Sequence, residues 1–179
     1  MDRREEIYNR ALELFIDRGY DNTPISLIAG TLGLSKAGLY HYVRDKEQLL
    51  FEIHEYVLKR DLIPVIEEAE EIPDPEGRLA FFLRSNTRLM TKSAAIRVLI
   101  HETRRLSPEH YDMISGVWRR VFRLIHSALS ELDRAGKTKK LNRNFAAFAL
   151  IGMCLWTVYW FDYTRSESVE ELAGTYEEI

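Results

Sequence analysis

Apolar residues recur every three to four positions along nearly the whole chain, the spacing of a helix with one buried face. Ile7, Ala11, Leu14 and Phe15 mark the first such face, over residues 3–18, and Gly19 is placed to end it. Ile25, Ile28, Ala29 and Leu32 mark a second. Thr23 is a cap residue there, with Pro24 at the first helical position, where a missing N–H costs nothing. Gly33 falls where that helix should stop in a left-handed residue. Leu34 anchors the turn. Ser35 then caps a third helix holding Lys36 to Val43, pinned inward by Leu39 and Val43. On that pinning, Lys36, Ala37, Tyr40 and His41 point outward. Asp45 caps the next helix, and Gln48 three residues on completes a capping-box pattern.

The fourth helix is expected over residues 46–71, with Pro64 kinking or splitting it. Asp74 caps and Pro75 starts the fifth. Residues 93–106 form the sixth, and Ser107-Pro108-Glu109 opens the seventh. Asn142 caps the eighth, which contains seventeen uncharged residues from Phe145 to Phe161. A helix apolar on all sides is buried on all sides. Late in a small domain, that requires its own core on one face and a second subunit on the other. The run is short for a membrane span and carries Gly152, Cys154 and Thr157, so no membrane partner is expected. Ser168 and Glu171 have capping-box spacing for a ninth helix, Val169–Glu178. The expected fold class is therefore all-α, about nine helices in total.

Composition agrees. Five prolines and nine glycines in 179 residues leave the helical segments largely unbroken, and 46% hydrophobic residues can supply a core. The lone Cys154 makes no intrachain disulfide, and the charged, amphipathic start is not a signal peptide, which points to a cytoplasmic protein. Charge is uneven. Residues 1–60 carry net −1 and residues 61–77 net −7, whereas residues 78–126 hold ten bases and three acids, net +7. The front of the chain is no basic magnet for nucleic acid, so DNA affinity would rest on local contacts made in duplicate.

Residues 7–50 resemble the amino-terminal DNA-binding domain of TetR-type transcriptional regulators. The resemblance rests on Ile7, Ala11, Leu14-Phe15, Gly19-Tyr20, Thr23, Ile28-Ala29, Leu32-Gly33-Leu34-Ser35, Gly38-Leu39-Tyr40-His41-Tyr42-Val43, Lys46 and Leu49-Leu50, all in register. It implies a helix-turn-helix domain at 1–46 and a larger helical effector-binding and dimerisation domain at 47–179. It implies, position by position, that Lys36 and Ala37 reach base edges and that Tyr40 meets phosphate or a thymine methyl. Thr23, Ser26, His41, Tyr42 and Lys46 match phosphate-contacting positions. Gly38 lets the backbone approach. Lysine suits guanine O6 and N7, while phosphate contacts set register without reading sequence. The implied partners are a double-stranded, pseudo-palindromic DNA operator, a small-molecule effector and a second copy of the chain.

The basic middle of the chain suggests the effector. Arg84 and Arg88 lie one turn apart, and Arg97, His101 and Arg104 share a face, as do Arg119, Arg123 and His126. Cationic faces beside aromatic residues such as Phe122 suit an apolar body with an anionic head, and an acyl-CoA is the expected class. The stretch from Trp156 to Trp160 is similar to TetR-like regulators of acyl-CoA metabolism. The alternatives are a neutral hydrophobic effector, as in control of an efflux system, and a helical interaction protein without DNA binding. Phe148, Leu155, Trp156, Tyr159 and Leu172 are the candidate dimer residues, with the contacting face left open. The five histidines show no metal-ligand spacing, and no phosphate loop or nucleophile elbow is present. No catalytic residue, metal or cofactor is expected: the reading is a ligand-responsive repressor, not an enzyme.

Overall fold

The computed structural model describes residues 2–92, 94–161 and 168–178. Every regular element among them is helical. In chain order these are α1 (Arg3–Arg18), α2 (Ile25–Thr31), α3 (Lys36–Tyr40), α4 (Lys46–Val57), α5 (Ile63–Glu70), α6 (Pro75–Lys92), α7 (Ala94–Glu102), α8 (Pro108–Arg134), α9 (Arg143–Trp160) and α10 (Val169–Glu178). The count is ten because the expected fourth helix is two. A π turn at Leu58–Leu62 separates α4 from α5, and Pro64 stands in the first turn of α5. The proline ring would clash with the carbonyl of residue 60 in a continuous α-helix, and one wider turn relieves that clash.

Local cap chemistry sets most of the boundaries. The Asp74 carboxylate accepts from Gly77 N at 2.7 Å, and the Ser107 hydroxyl from His110 N at 3.3 Å. Asn142 accepts from Asn144 N and Phe145 N, and Ser168 from Glu170 N. Each satisfies a backbone donor that has no partner inside its helix. Gly19 and Gly136 close α1 and α8 at positive φ.

The chain gathers into two compact units. The first comprises Met1–Leu58 and Ala94–Ile114, the second Lys59–Ser93 and Ser115–Ile179. In the first, α1 packs on α2, α4 and α7 around the fully buried Ile7, Phe15, Ile28, Leu39, Leu49, Leu50 and Ile53. In the second, α6 packs on α5, α9 and α10, with Phe82, Met90, Val121, Ile125, Ala147 and Cys154 buried. Ser93, the first residue of the expected sixth helix, lies outside the described residues. No helix among the described residues is long and apolar enough to cross a membrane.

Candidate DNA interface and effector site

The turn between α2 and α3 is built as its residues dictate. Gly33 has φ 67°, which only glycine adopts freely. Leu34 N donates to Ala29 O at 2.9 Å, folding the chain back on α2. Ser35 caps α3, its hydroxyl accepting from Gly38 N at 2.9 Å. A Cβ on residue 38 would come within 3.3 Å of that hydroxyl, so Gly38 has an internal reason to be glycine. Leu39 is fully buried and Val43 nearly so. α3 ends at Tyr40, shorter than the expected Lys36–Val43, because the chain turns at His41 while Val43 still reaches the core.

This pinning leaves Lys36, Ala37, Tyr40 and His41 exposed on one side, with Ser26 exposed on α2. Tyr42 is half-buried. Lys46 is docked: its ammonium donates to Tyr20 O and lies 4.0 Å from the centre of the Tyr20 ring. Burial holds its pKa below the usual lysine value.

Two expectations are corrected here. Thr23 does not cap α2 and is not placed to meet phosphate. It is 0% exposed, and its hydroxyl donates to Leu14 O and Gly19 O at 3.2 and 2.8 Å, closing the end of α1. Pro24 occupies the cap position instead of the first helical one. The capping box at α4 is half formed. Asp45 accepts from Gln48 N at 2.8 Å, which holds its carboxyl below the usual range, but the Gln48 side chain donates to Glu52 at 3.1 Å.

The basic candidates divide between the units. Arg97, His101 and Arg104 are exposed in the first. In the second, Arg84 forks onto Glu177 and Arg88 onto Glu170, both on α10, and Arg123 is exposed on α8. Arg84 lines a groove of about 560 Å³ with Asp74, Glu76, Glu177 and Glu178. Arg88 lines another, of about 260 Å³, with Arg60, Asp61, Val65, Ser85 and Leu89. Arg60 and Ser85 were not legible in the sequence as lining a groove. Pro64, four residues past Arg60, was the available sign that the backbone there is distorted.

Hydropathy alone left the faces of α9 unassigned. Ala147, Cys154, Thr157 and Val158 face inward. Phe145, Phe148, Gly152, Trp156 and Tyr159 form an exposed stripe, with Phe145 73% and Trp156 64% exposed. Phe122 on α8 meets Phe148 at 4.9 Å between ring centres and belongs to this aromatic surface. Trp156 points outward and does not wall an internal pocket. Leu155 and Leu172 are half-buried, and Leu172 packs on the cluster of Leu83, Cys154 and Tyr176.

Comparison with known proteins assigns the fold to a family. A model described as "Bacterial regulatory proteins, tetR family" matches residues 7–53, and one described as "Tetracyclin repressor-like, C-terminal domain" matches residues 73–179. The chain belongs to the TetR family. It is therefore a DNA-binding transcriptional regulator and not an enzyme. The crystal structure of AibR in complex with isovaleryl coenzyme A and operator DNA is 29% identical, with a TM-score of 0.91, covering 99% of this chain and 98% of that one. The HTH-type transcriptional regulator HbdR of Aromatoleum sp. (strain CIB) is 24% identical over 95% of this chain and 77% of its own length. The HTH-type transcriptional regulator SAB2452 of Staphylococcus aureus (strain bovine RF122 / ET3-1) is 34% identical over 41% of this chain, which spans only 38% of that protein.

Proposed function

We propose that this TetR-family chain is a repressor that binds a pseudo-palindromic operator as a homodimer and releases it on binding an acyl-CoA. Residues 1–46 read DNA, and residues 47–179 bind the effector and dimerise. Lys36 and Ala37 meet base edges, and Ser26, Tyr40, His41, Tyr42 and Lys46 hold the backbone. Each copy presents one α3, and two copies address successive major grooves. The stripe Phe145–Phe148–Trp156–Tyr159 on α9, with Phe122 of α8, is the surface the second copy covers. Exposed aromatic surface of this extent marks an interaction site. The effector acts by binding more tightly to the state whose α3 spacing does not fit DNA.

The observation that carries the effector class is the likeness, over 99% of this chain, to a regulator crystallised with isovaleryl coenzyme A and operator DNA. A second reading, a neutral hydrophobic effector, is favoured by the pairing of Arg84 with Glu177, which occupies that cation. A thermal-shift panel of CoA thioesters of graded acyl length separates the two. The expected result is a rise in melting temperature together with release of DNA. Stabilisation by neutral hydrophobic compounds alone would reject the acyl-CoA.

A further inference from the structure

Regular α-helical geometry is interrupted at Leu58–Leu62. The π turn at Leu58–Leu62 runs directly into α4 on one side and α5 on the other. It carries Arg60 and Asp61, paired through Nε–Oδ1 at 3.0 Å and Nη2–Oδ2 at 2.6 Å. The groove beside it is bounded by Arg60, Asp61 and Val65 on one side and by Ser85, Arg88 and Leu89 of α6 on the other. Arg88 is held by Glu170, Nε to Oε1 at 2.8 Å.

We propose that Arg60, Ser85 and Arg88 form a receptor for phosphate groups of the effector. This rests on the acyl-CoA reading and names the part of that ligand the groove takes. Two guanidiniums bound fork-to-fork by carboxylates present the donor geometry that phosphate oxygens also fit, and phosphate brings more charge. Exchange is cheap at Arg88, where both it and Glu170 are well exposed and an exposed ion pair contributes only about 0–1 kcal/mol, whereas Asp61 is 11% exposed and holds Arg60 more firmly. At about 260 Å³ the groove suits a head group, being smaller than the roughly 300–1,000 Å³ typical of pockets that enclose a whole small ligand. The larger groove sets four carboxylates, Asp74, Glu76, Glu177 and Glu178, against the one guanidinium of Arg84, a balance that disfavours phosphate. Phosphate on Arg60 draws it from Asp61 on the π turn, and phosphate on Arg88 draws it from Glu170 on α10. Occupancy is thus felt in the turn that continues into α4.

The test uses the full-length protein with inorganic pyrophosphate and isovaleryl-CoA as probes. Wild type is compared with Arg60→Gln/Arg88→Gln and with Arg134→Gln, an exposed arginine on α8, as control. Circular dichroism checks that each is folded, and tryptophan fluorescence gives Kd. The double variant should bind both probes at least about tenfold more weakly, with the control unchanged. Pyrophosphate that fails to bind wild type, or binds the double variant equally well, overturns the receptor. Isovaleryl-CoA binding wild type and double variant alike also overturns it, while leaving the acyl-CoA reading intact. Pyrophosphate that behaves as expected, with no CoA thioester of the graded panel bound, upholds the phosphate receptor and removes the acyl-CoA.

Discussion

Lys36 Nζ lies 5.9 Å from the centre of the Tyr40 ring, so the two residues, one turn apart on α3, make a single exposed surface. Neither supports the core, which at α3 is Leu39 alone. Replacing Lys36 or Tyr40 with alanine is expected to leave the unfolding free energy within about 0.5 kcal/mol of wild type, as for other surface changes. DNA binding should fall by about 1–3 kcal/mol for Lys36→Ala if it reads a guanine edge. Tyr40→Ala should weaken binding to specific and non-specific duplexes alike if it meets phosphate. Fluorescence anisotropy with both duplexes measures the split.

Thr23 is expected to behave in the opposite way. Its hydroxyl is consumed by Leu14 O and Gly19 O inside the first unit. Thr23→Val removes both bonds with little change of shape, and should cost about 1–2 kcal/mol in denaturant unfolding. DNA affinity per folded molecule should not change. A large loss of affinity with unchanged stability would return Thr23 to the phosphate contacts.

His54 gives stability a pH dependence. It is buried, with Nδ1 2.8 Å from Leu50 O and Nε2 2.9 Å from Leu99 O. Burial pushes its pKa below the ordinary 6.5, and the two carbonyls and Glu102 oppose that without overcoming it. The unfolded chain then takes up a proton that the folded chain refuses. Stability from this residue is complete above about pH 6.5 and is lost as the pH falls below it. The lowered carboxylates, Asp45, Glu70 and Glu170, act in a lower window, below their ordinary 3.8 to 4.5. Melting curves from about pH 7.5 to about pH 5.5 should therefore fall in wild type and flatten in His54→Gln.

Asn86 sits in the core of the second unit with its Oδ1 unpartnered, while its amide also bonds Cys154. Exchanging the amide for an apolar group of similar size removes that cost, so Asn86→Leu should match or exceed wild-type stability in thermal melts. A loss above about 2 kcal/mol would mean that the amide is fully satisfied in solution.

The α9 stripe is expected to control assembly. Phe148→Glu or Trp156→Glu should weaken the dimer by about 2 kcal/mol or more, roughly 30-fold, the scale of an aromatic hot spot. Sedimentation velocity reads this directly. Leu172→Ala should instead lower stability and leave association alone, because Leu172 packs on Leu83, Cys154 and Tyr176.

What was legible in the sequence is what local chemistry decides. Ser35, Asp74, Ser107, Asn142 and Ser168 cap as expected because a cap needs only its own next three residues. Thr23 and Gln48 failed that reading because each found a second partner, Thr23 at the end of α1 and Gln48 at Glu52. The pairing of the arginines was hidden for a different reason. Their partners lie far along the chain, 93 residues for Arg84 and 82 for Arg88, and come together only when α10 docks on α6. The kink at Pro64 was readable, but its form as a π turn was not, since several backbone adjustments relieve the same clash. On α9, uniform hydropathy conceals the face, and only packing against α6 reveals which residues stay outside.

Selection of binding sites from a random duplex library tests the central claim most directly. Wild type should enrich a pseudo-palindrome whose half-sites fall one helical turn apart or a multiple of it. The Lys36→Ala/Tyr40→Ala protein, folded and dimeric, should enrich nothing. Failure of wild type to enrich any sequence, or equal enrichment by the double variant, would contradict the assignment of α3 as the element that reads DNA.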